Sequence, residues 1–297
     1  IRTQELLAAR RIDGAEQFFS RAYDFGFCKR TEEALEKWNR ELILSDVVWV
    51  IRRFRPDVII TRFPEDSRAG HGHHSASAVL AHEAFLAAAD PAKFPEQFKF
   101  GVKPWKAERI LWNTYNFGSA NTQSEDQFKI NVGGYNALLG KSYGEIAAES
   151  RTQHKSQGFG VPAQRGAGYE YFVTTAGSAP KNDLMDGIET TIRTKEFSEV
   201  EMERSIDSLI GNFSYEHPER SVKGLTQLYA GIRASSMNNY WKGQKLAQVH
   251  RLIEICSGLF FEATTHVPYV AAGDSLLINV TIVNRGGLDI QSPSVNL

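Results

Sequence analysis

The sequence has little of what marks disulfide-rich, membrane or nucleic-acid-binding proteins. Its 297 residues include two cysteines, Cys28 and Cys256, which are too few for a disulfide framework and neither require nor exclude an oxidising compartment. No apolar run approaches the roughly 20 residues of a membrane-spanning helix. The formal net charge of −1 implies no general attraction to nucleic acid or to an anionic membrane. The hydrophobic content of 42% and the charged content of 23% are those of an ordinary globular protein.

A secretory signal peptide is also absent from the start of the sequence. Apolar residues recur with helical spacing over residues 1–19, with arginine and glutamate on the other face. Ile1 therefore stands inside a predicted helix, and we expect that the chain is a processed form or a fragment. Its length suffices for one large domain or two.

The segment most informative about function spans residues 57–86. A short β-branched run at residues 58–61 predicts a buried strand. A polar loop containing glycine and proline follows, and then His71, His73 and His74 stand at the start of an alanine-rich helical pattern. In open α/β sheets, ligands bind where strands end and loops lead into helices. The three histidines are thus predicted at a position typical of a ligand site.

The spacing of these histidines predicts which of them act together. His71 and His74 are three residues apart, so both can face one side of a helix, whereas we expect His73 to point away. Imidazole is a common ligand of zinc, and a positioned imidazole can exchange a proton near neutral pH. One helical turn could therefore supply a metal ligand and an acid–base or oxyanion partner. The alternative is a polar helix start with solvated histidines, because short motifs often occur by chance.

Alternating elements along the rest of the chain predict an α/β domain followed by two further regions. Besides residues 58–61, strands are predicted at residues 109–114, 127–132 and 169–175. Helices are predicted at residues 31–55, 75–89, 140–157, 197–211, 221–233 and 244–261. Residues 267–297 alternate β-branched and polar residues, which is typical of the first strands of a β-sandwich. The predicted domains are therefore residues 1–180 (α/β), 181–265 (helical) and 266–297 (start of a β-sandwich module).

The string GHGHHSASAVLAHEAF, at residues 70–85, resembles the second metal motif, H-x-x-H, of the LmbE/PIG-L family of zinc-dependent N-acetylglucosaminyl deacetylases. Residues 1–27 are similar to a long bacterial subgroup with a C-terminal β-module, and the resemblance extends over residues 1–175. It implies a Rossmann-like, mostly parallel sheet flanked by helices, with its first strand apparently missing here. It also implies that His74 binds the metal and that His71 protonates the leaving amine or stabilises the oxyanion. Gly72 and His73 depart from the family's usual Pro-Asp.

The resemblance assigns roles to three further residues, each with a simpler alternative. Arg2 matches an arginine that contacts the sugar, but it could be an exposed helix arginine. Asp24 falls where the family has an aspartate near the sugar hydroxyls, and a carboxylate suits that purpose; a turn-forming aspartate before Gly26 is the favoured alternative. His154 begins a stretch that resembles the family's H-x-S-Q tail, where we favour a structural or cleft-shaping role.

The strongest signature of that family, His-Pro-Asp-Asp-Glu, is absent. In the family its histidine and second aspartate bind zinc, and its first aspartate is the general base. The nearest string here, at residues 217–220, lacks both aspartates. The sequence thus offers one of three expected ligands and no base, whereas a catalytic zinc needs about three protein ligands. We favour a chain that lacks an N-terminal segment and is itself inactive; the alternative is a natural pseudo-enzyme that binds glycans.

The resemblance therefore implies a hydrolase that uses Zn²⁺, or another divalent metal, to remove the N-acetyl group from a substrate containing N-acetylglucosamine. Its implied partner is a small-molecule or glycan substrate, and a homo-oligomer is compatible with the helical region. A periplasmic or secreted location is favoured by the resemblance and by the β-module. Two alternatives stay open: a non-catalytic carbohydrate-binding or scaffold protein, and a zinc amidase acting on a non-sugar amide.

Overall fold

The computed structural model describes residues 1–118, 120–158, 160–190 and 199–290, without the side chains of residues 199 and 200. The chain divides into two compact units, Ile1–Glu189 and Thr190–Leu297. The helices of the first unit are α1 (Arg2–Asp13), α2 (Thr31–Trp38), α3 (Arg40–Phe54), α4 (Gly72–Ala87) and α5 (Tyr143–Thr152).

The first helix is shorter than its apolar pattern predicts. Gly14 has φ 74° and donates its backbone N–H to the carbonyl of Arg10, which ends α1 at Asp13. Glycine adopts this left-handed conformation without steric cost, so it commonly follows the last helical residue. The apolar residues that follow, Phe18 and Phe19, are therefore not part of the helix.

The strands of the first unit are β1 (Val58–Thr61), β2 (Arg109–Asn113), β3 (Asn116–Phe117), β4 (Ala120–Asn121), β5 (Phe128–Asn131), β6 (Tyr135–Asn136), β7 (Lys141–Ser142) and β8 (Tyr169–Gly177). Four of them form one sheet in the order β1-β2-β8-β5. The strands predicted at residues 58–61, 109–114, 127–132 and 169–175 are therefore all present.

This sheet is mixed, so the expected mostly parallel sheet is wrong. β1 and β2 pair in parallel, and α4 lies in the crossover connection that parallel neighbours need. β8 runs antiparallel to both of its neighbours, β2 and β5. Asn131 at the end of β5 pairs with Tyr169 at the start of β8, so the chain re-enters the sheet from the end at which β5 left it. A strand entering from that end must run in the opposite direction.

The main core of this unit lies between α3 and α4. Its buried side chains come from both helices and from the residue after α4: Ile43, Leu44, Val48, Ile51, Leu80, Ala84, Ala87 and Ala88. The alanines on α4 let the two helices approach closely. β2 is buried along most of its length, with Ile110 and Leu111 fully covered. This packing fixes α4, and with it the histidines at its start, against the sheet and α3.

The second unit consists of α6 (Glu199–Gly211), α7 (Val222–Ala234), α8 (Asn239–Ser257), β9 (Leu259–Thr264) and β10 (Asn279–Asn284). Its buried cluster includes Leu225, Leu228, Ile232, Met237, Val249 and Cys256. The predicted helix over residues 244–261 runs too far, because Gly258 with φ 64° ends α8 and β9 begins at the next residue. β9 and β10 form an antiparallel pair, and within residues 259–290 the structure does not confirm the start of a β-sandwich.

None of the helices in the described part of the chain has the length and apolar character needed to cross a membrane.

Candidate functional site

The histidines stand at the carboxyl end of β1, where a short turn leads into α4. Asp66 accepts the backbone N–H of Arg68 and so begins a 3-10 turn at Ser67–Ala69. Gly70, with φ 71°, ends this turn. His71 then takes an extended conformation and is the N-cap of α4. The strand, the turn and the helix together place His71 and His74 at the carboxyl end of β1.

Gly72, which stands where the resembled family has proline, is required by a close approach of two chain segments. Its N–H donates to the carbonyl of Cys28 at 2.6 Å. A Cβ atom at this position would overlap with the carbonyl oxygen of Arg30 and would lie 2.6 Å from the Sγ atom of Cys28. Proline has both a Cβ atom and no N–H, so it does not fit here. The departure from Pro-Asp therefore has a local structural cause.

His71 is held by its Nδ1 atom, which accepts the backbone N–H of His73 at 3.2 Å. Because this nitrogen acts as an acceptor, the neutral ring carries its proton on Nε2. Burial lowers the pKa of His71, and the nearby rings of His73 and His74 lower it further. The neutral imidazole with an Nε2–H donor is therefore favoured.

His74 is oriented by a backbone carbonyl. Its Nδ1 atom lies 3.0 Å from the carbonyl oxygen of Ala69, and since a carbonyl only accepts, Nδ1 carries the proton. Its ring stacks on Phe63 with the centroids 3.7 Å apart and an interplanar angle of 4°. The Nε2 lone pair is thereby left available. A histidine whose other nitrogen donates to a carbonyl is typical of metal ligands.

His73 does not point away, contrary to the helical spacing argument. Its Nδ1 atom lies 3.0 Å from Nδ1 of His71, and its ring packs against Phe25 and Trp38 at centroid distances of 4.3 and 4.9 Å. His71 has φ −150° and ψ 136°, so it lies outside the helix, and helical spacing does not apply to it. In the described structure the buried Nε2 atom of His73 has no hydrogen-bond partner.

The rings of His71 and His74 face the same space. Their centroids are 5.1 Å apart with an interplanar angle of 39°, and both rings line a cavity of about 350 Å³. Arg2 and Asp24 line this cavity too, and their side chains form an ion pair of 2.6 Å. The four residues that the sequence assigned to metal, catalysis and sugar binding are therefore close together.

Asp24 takes the turn-forming role that the sequence favours for it. It accepts the backbone N–H of Gly26 at 2.9 Å, as a turn-forming aspartate does. This bond is the largest cause that lowers the pKa of Asp24, followed by the charge of Arg2. Asp24 is nevertheless exposed to the cavity as a carboxylate, where it can accept hydrogen bonds.

A second cavity of about 840 Å³ meets the first at the same two histidines. Its remaining lining comes from the turn before α4, the hairpin β3–β4, α5 and β8: Arg62, Phe63, Arg68, Ala69, Gly70, Tyr115, Asn116, Phe117, Ala120, Gln123, Arg151, Gln164 and Glu170. The sequence analysis did not select any of these residues.

His154 lies apart from both cavities. It precedes a 3-10 turn, Lys155–Gln157. In that turn Ser156 donates its N–H and its hydroxyl to the carboxylate of Glu5 on α1, each at 2.7 Å. The H-x-S-Q stretch therefore attaches the end of α5 to α1, and His154 does not line the cleft that the sequence analysis weighed for it.

The fit of this site to zinc is incomplete. Within the described residues, no three histidine, cysteine or carboxylate side chains are placed to hold a metal ion together. His74 supplies one nitrogen, and Asp24, the carboxylate in the smaller cavity, is paired with Arg2. A catalytic zinc needs about three protein ligands, so these residues alone do not form its site.

A protein-family model agrees with this part of the molecule. The model of the PIG-L family, described as GlcNAc-PI de-N-acetylase, matches residues 1–85. The matched segment contains α1 to β1 and nearly all of α4, and therefore Arg2, Asp24, His71 and His74. This confirms the resemblance stated from the sequence over residues 1–85, and the family it names is one of deacetylase-type hydrolases acting on GlcNAc-like substrates. A search among curated proteins found no match to the chain.

Proposed function

We propose that this chain forms part of the active site of a hydrolase that removes the acetyl group from an N-acetylglucosamine unit. The observation that carries the proposal is the joint placement of His71 and His74. Backbone hydrogen bonds fix both rings, and both face a cavity that also holds the Arg2–Asp24 pair. The family match over residues 1–85 supports the same reaction class.

Each residue has a role that follows from its hydrogen bonds. His71, with the proton on Nε2, would donate to the oxyanion that develops when the acetamide carbon is attacked. His74, with a free Nε2 lone pair, would be a metal ligand. Arg2 donates and Asp24 accepts hydrogen bonds, so the pair suits the vicinal hydroxyls of a sugar.

We also propose zinc as the metal. Because the described residues supply only His74 as a clear ligand, the remaining ligands and the general base would come from a further segment of the full-length protein, outside the described residues. Zinc affinity would then depend on His74 and on that further segment together.

A second candidate is a glycan-binding protein without hydrolytic activity. It is favoured by the incomplete ligand set around His74 in the described residues. In such a protein the same cavity, with Arg2 and Asp24, would bind the sugar without cleaving its amide.

Acetate release by the full-length protein tests the proposal. With chitobiose as substrate, we expect release that stops with EDTA and returns with Zn²⁺. His71→Ala should keep the metal but lose about 10²–10³-fold in kcat, as when one oxyanion donor is removed. His82→Ala, on the same helix, is the matched control. Glycan binding that persists in EDTA without any acetate release would instead favour the binding protein.

A further inference from the structure

The second unit has a cavity of its own, between α6 and α7. Its volume is about 400 Å³, which falls in the range of about 300–1,000 Å³ that is usual for small-molecule sites. Its lining comes from α6 and the residue after it, from the 3-10 turn Pro218–Ser221 and from the first two turns of α7. The whole lining lies beyond the segment that the family model matches. What this cavity binds is therefore independent of the proposed function.

The charge in this cavity is positive. Arg204 on α6 and Arg220 in the 3-10 turn line it, whereas no carboxylate of the described residues does. Neither guanidinium has a hydrogen-bond or ion-pair partner in the part of the chain that the structure describes. The acidic residues closest to them along the chain, Glu203, Asp207 and Glu219, are not part of the lining. The two cations are therefore not neutralised by the protein around them.

A buried hydroxyl without a partner lies in the same cavity. Ser221 is the N-cap of α7 and is only 8% exposed. An N-cap serine normally accepts a backbone N–H of the first helical turn, but the side chain of Ser221 makes no such bond and has no other partner among the described residues. Leaving a buried hydroxyl unpaired costs free energy. An anion in the cavity would accept this O–H, at the end of α7 where the helix dipole favours negative charge.

One further hydroxyl is available as a donor. The Oγ atom of Ser208 accepts the Nδ2–H of Asn212 at 3.3 Å, and the same amide donates to the carbonyl of Ser208 at 2.7 Å. The hydroxyl hydrogen of Ser208 is thereby left free to donate. Ser205 differs, because its hydroxyl donates to the carbonyl of Glu201 at 2.9 Å. The lining therefore offers two guanidinium groups and two hydroxyl donors.

We propose that the cavity between α6 and α7 binds a phosphate or sulfate group. Guanidinium groups donate paired hydrogen bonds to such oxyanions. A tetrahedral group presents three or four oxygens in different directions, so Arg204, Arg220 and Ser221 can donate to it together. A carboxylate has two oxygens in one plane and cannot accept from all of these donors. The cavity also has room for a small organic group attached to the oxyanion.

Calorimetric titration of the full-length protein at low ionic strength tests this inference with inorganic phosphate, sulfate and acetate. We expect phosphate or sulfate to bind about tenfold or more tightly than acetate, because charge-assisted hydrogen bonds to the additional oxygens are gained. The relative affinities of phosphate and sulfate show which of the two groups the site prefers. Added sodium chloride should weaken the binding, because salt screens exposed charges.

Arginine variants assign the binding to this cavity. Arg204→Gln and Arg220→Gln should each weaken it by about tenfold or more, and the lysine variants should keep part of it because they keep the charge. Arg233→Gln is the matched control, since it removes the same charge from an exposed position in the last turn of α7 that does not line the cavity.

Ser221→Ala gives a readout that a purely structural serine would not. Because its hydroxyl has no protein partner, the variant should unfold at the wild-type temperature without phosphate. Added phosphate should then raise the unfolding temperature less in the variant than in the wild type, as weaker binding to the folded state requires. A loss of stability without phosphate, together with an unchanged effect of phosphate, would contradict the role given to Ser221.

Three results overturn the inference as a whole. The first is a wild type that binds neither phosphate nor sulfate, and the second is an equal loss of affinity in Arg233→Gln and Arg220→Gln, which would indicate general attraction to positive charge. The third is binding that His74→Ala abolishes and Arg220→Gln keeps, because the anion would then occupy the histidine site of the first unit.

Discussion

The Nδ1 atom of His74 lies 3.0 Å from the carbonyl oxygen of Ala69, so the turn before α4 determines which ring nitrogen is free. The ring is further fixed by its stacking on Phe63. A side chain that is already held in the orientation in which it binds a metal loses little conformational freedom on binding. The structure of this turn is therefore part of the proposed site, and changes that move it should affect function.

Gly72 is the first position where such a change can be tested. Gly72→Ala should destabilise the protein by about 1–3 kcal/mol, the usual cost of forcing extra atoms into a packed region. It should also weaken ligand binding, because the backbone that carries His71 and His74 must move away from Arg30. Chemical denaturation and calorimetric ligand binding on the same preparation measure the two effects.

Gly243→Ala is the matched control for this substitution. Gly243 lies inside α8, and a Cβ atom there would contact nothing within 4 Å. Alanine is the better helix former, so this variant should be more stable by about 0.5–1 kcal/mol. Similar effects of the two substitutions would show that the approach of Gly72 to Arg30 has no special importance.

Arg52 should contribute strongly to the stability of the first unit. Its side chain is fully buried, and it donates to the end of α4 and to the segment that follows. The acceptors are the carbonyl oxygens of Ala87, Ala88, Asp90, Lys93 and Phe94 and the Oε1 atom of Gln97. Arg52→Met should lower the free energy of unfolding by about 3 kcal/mol or more, because it leaves several buried acceptors unpaired.

The neighbouring Arg53 gives the control for that measurement. Arg53 is exposed on α3, and Arg53→Met should change the unfolding free energy by no more than about 0.5 kcal/mol. Equal midpoints of denaturation for the two variants would contradict the importance given to the buried guanidinium.

Asp13 should make the attachment of α1 to α5 dependent on pH. Burial alone would raise the pKa of Asp13, but hydrogen bonds from Arg10, from the backbone N–H of Ala15 and from Ser150 lower it overall. A carboxyl group with a lowered folded-state pKa stabilises the protein above its unfolded pKa of about 3.9. That contribution disappears as the pH falls below this value and through the folded-state pKa.

Asp13→Asn should therefore lower the free energy of unfolding by about 1–2 kcal/mol at pH 7. The difference in stability between this variant and the wild type should shrink as the pH falls below about 4. Ser150→Ala, which removes one donor to Asp13, should show a smaller loss with the same trend. Thermal unfolding across this pH range measures both variants. A difference that stays constant with pH would argue against an ionised Asp13 at this contact.

The sequence predicts those parts of the fold that depend on neighbouring residues along the chain. The β-branched run before the histidines identifies β1, and the alanine-rich segment identifies α4. The antiparallel insertion of β8 between β2 and β5 depends on long-range pairing, which no local pattern reports. The end of α8 depends on the conformation of Gly258, which stands in an apolar stretch with helical spacing.

The candidate site also has parts that the sequence predicts and parts that it does not. The rings of His71 and His74 face one space, as the sequence predicts, but helical spacing is not the reason, because His71 precedes the helix. The predicted orientation of His73 is wrong, because the prediction placed His71 inside the helix, whereas it is the N-cap and has an extended backbone. The lining of the larger cavity was not foreseen at all, since that cavity is formed by several separate chain segments.

The central claim is that His74 binds zinc. The zinc content of the full-length protein tests it most directly, in a comparison of two histidine variants of α4. His82 lies two turns beyond His74, and both of its ring nitrogens have partners within the first unit, Ala78 and Thr175. The account predicts that the wild type and His82→Ala retain one zinc per chain after gel filtration, whereas His74→Ala loses it. Full zinc occupancy in His74→Ala, or no zinc in the wild type, would contradict the account.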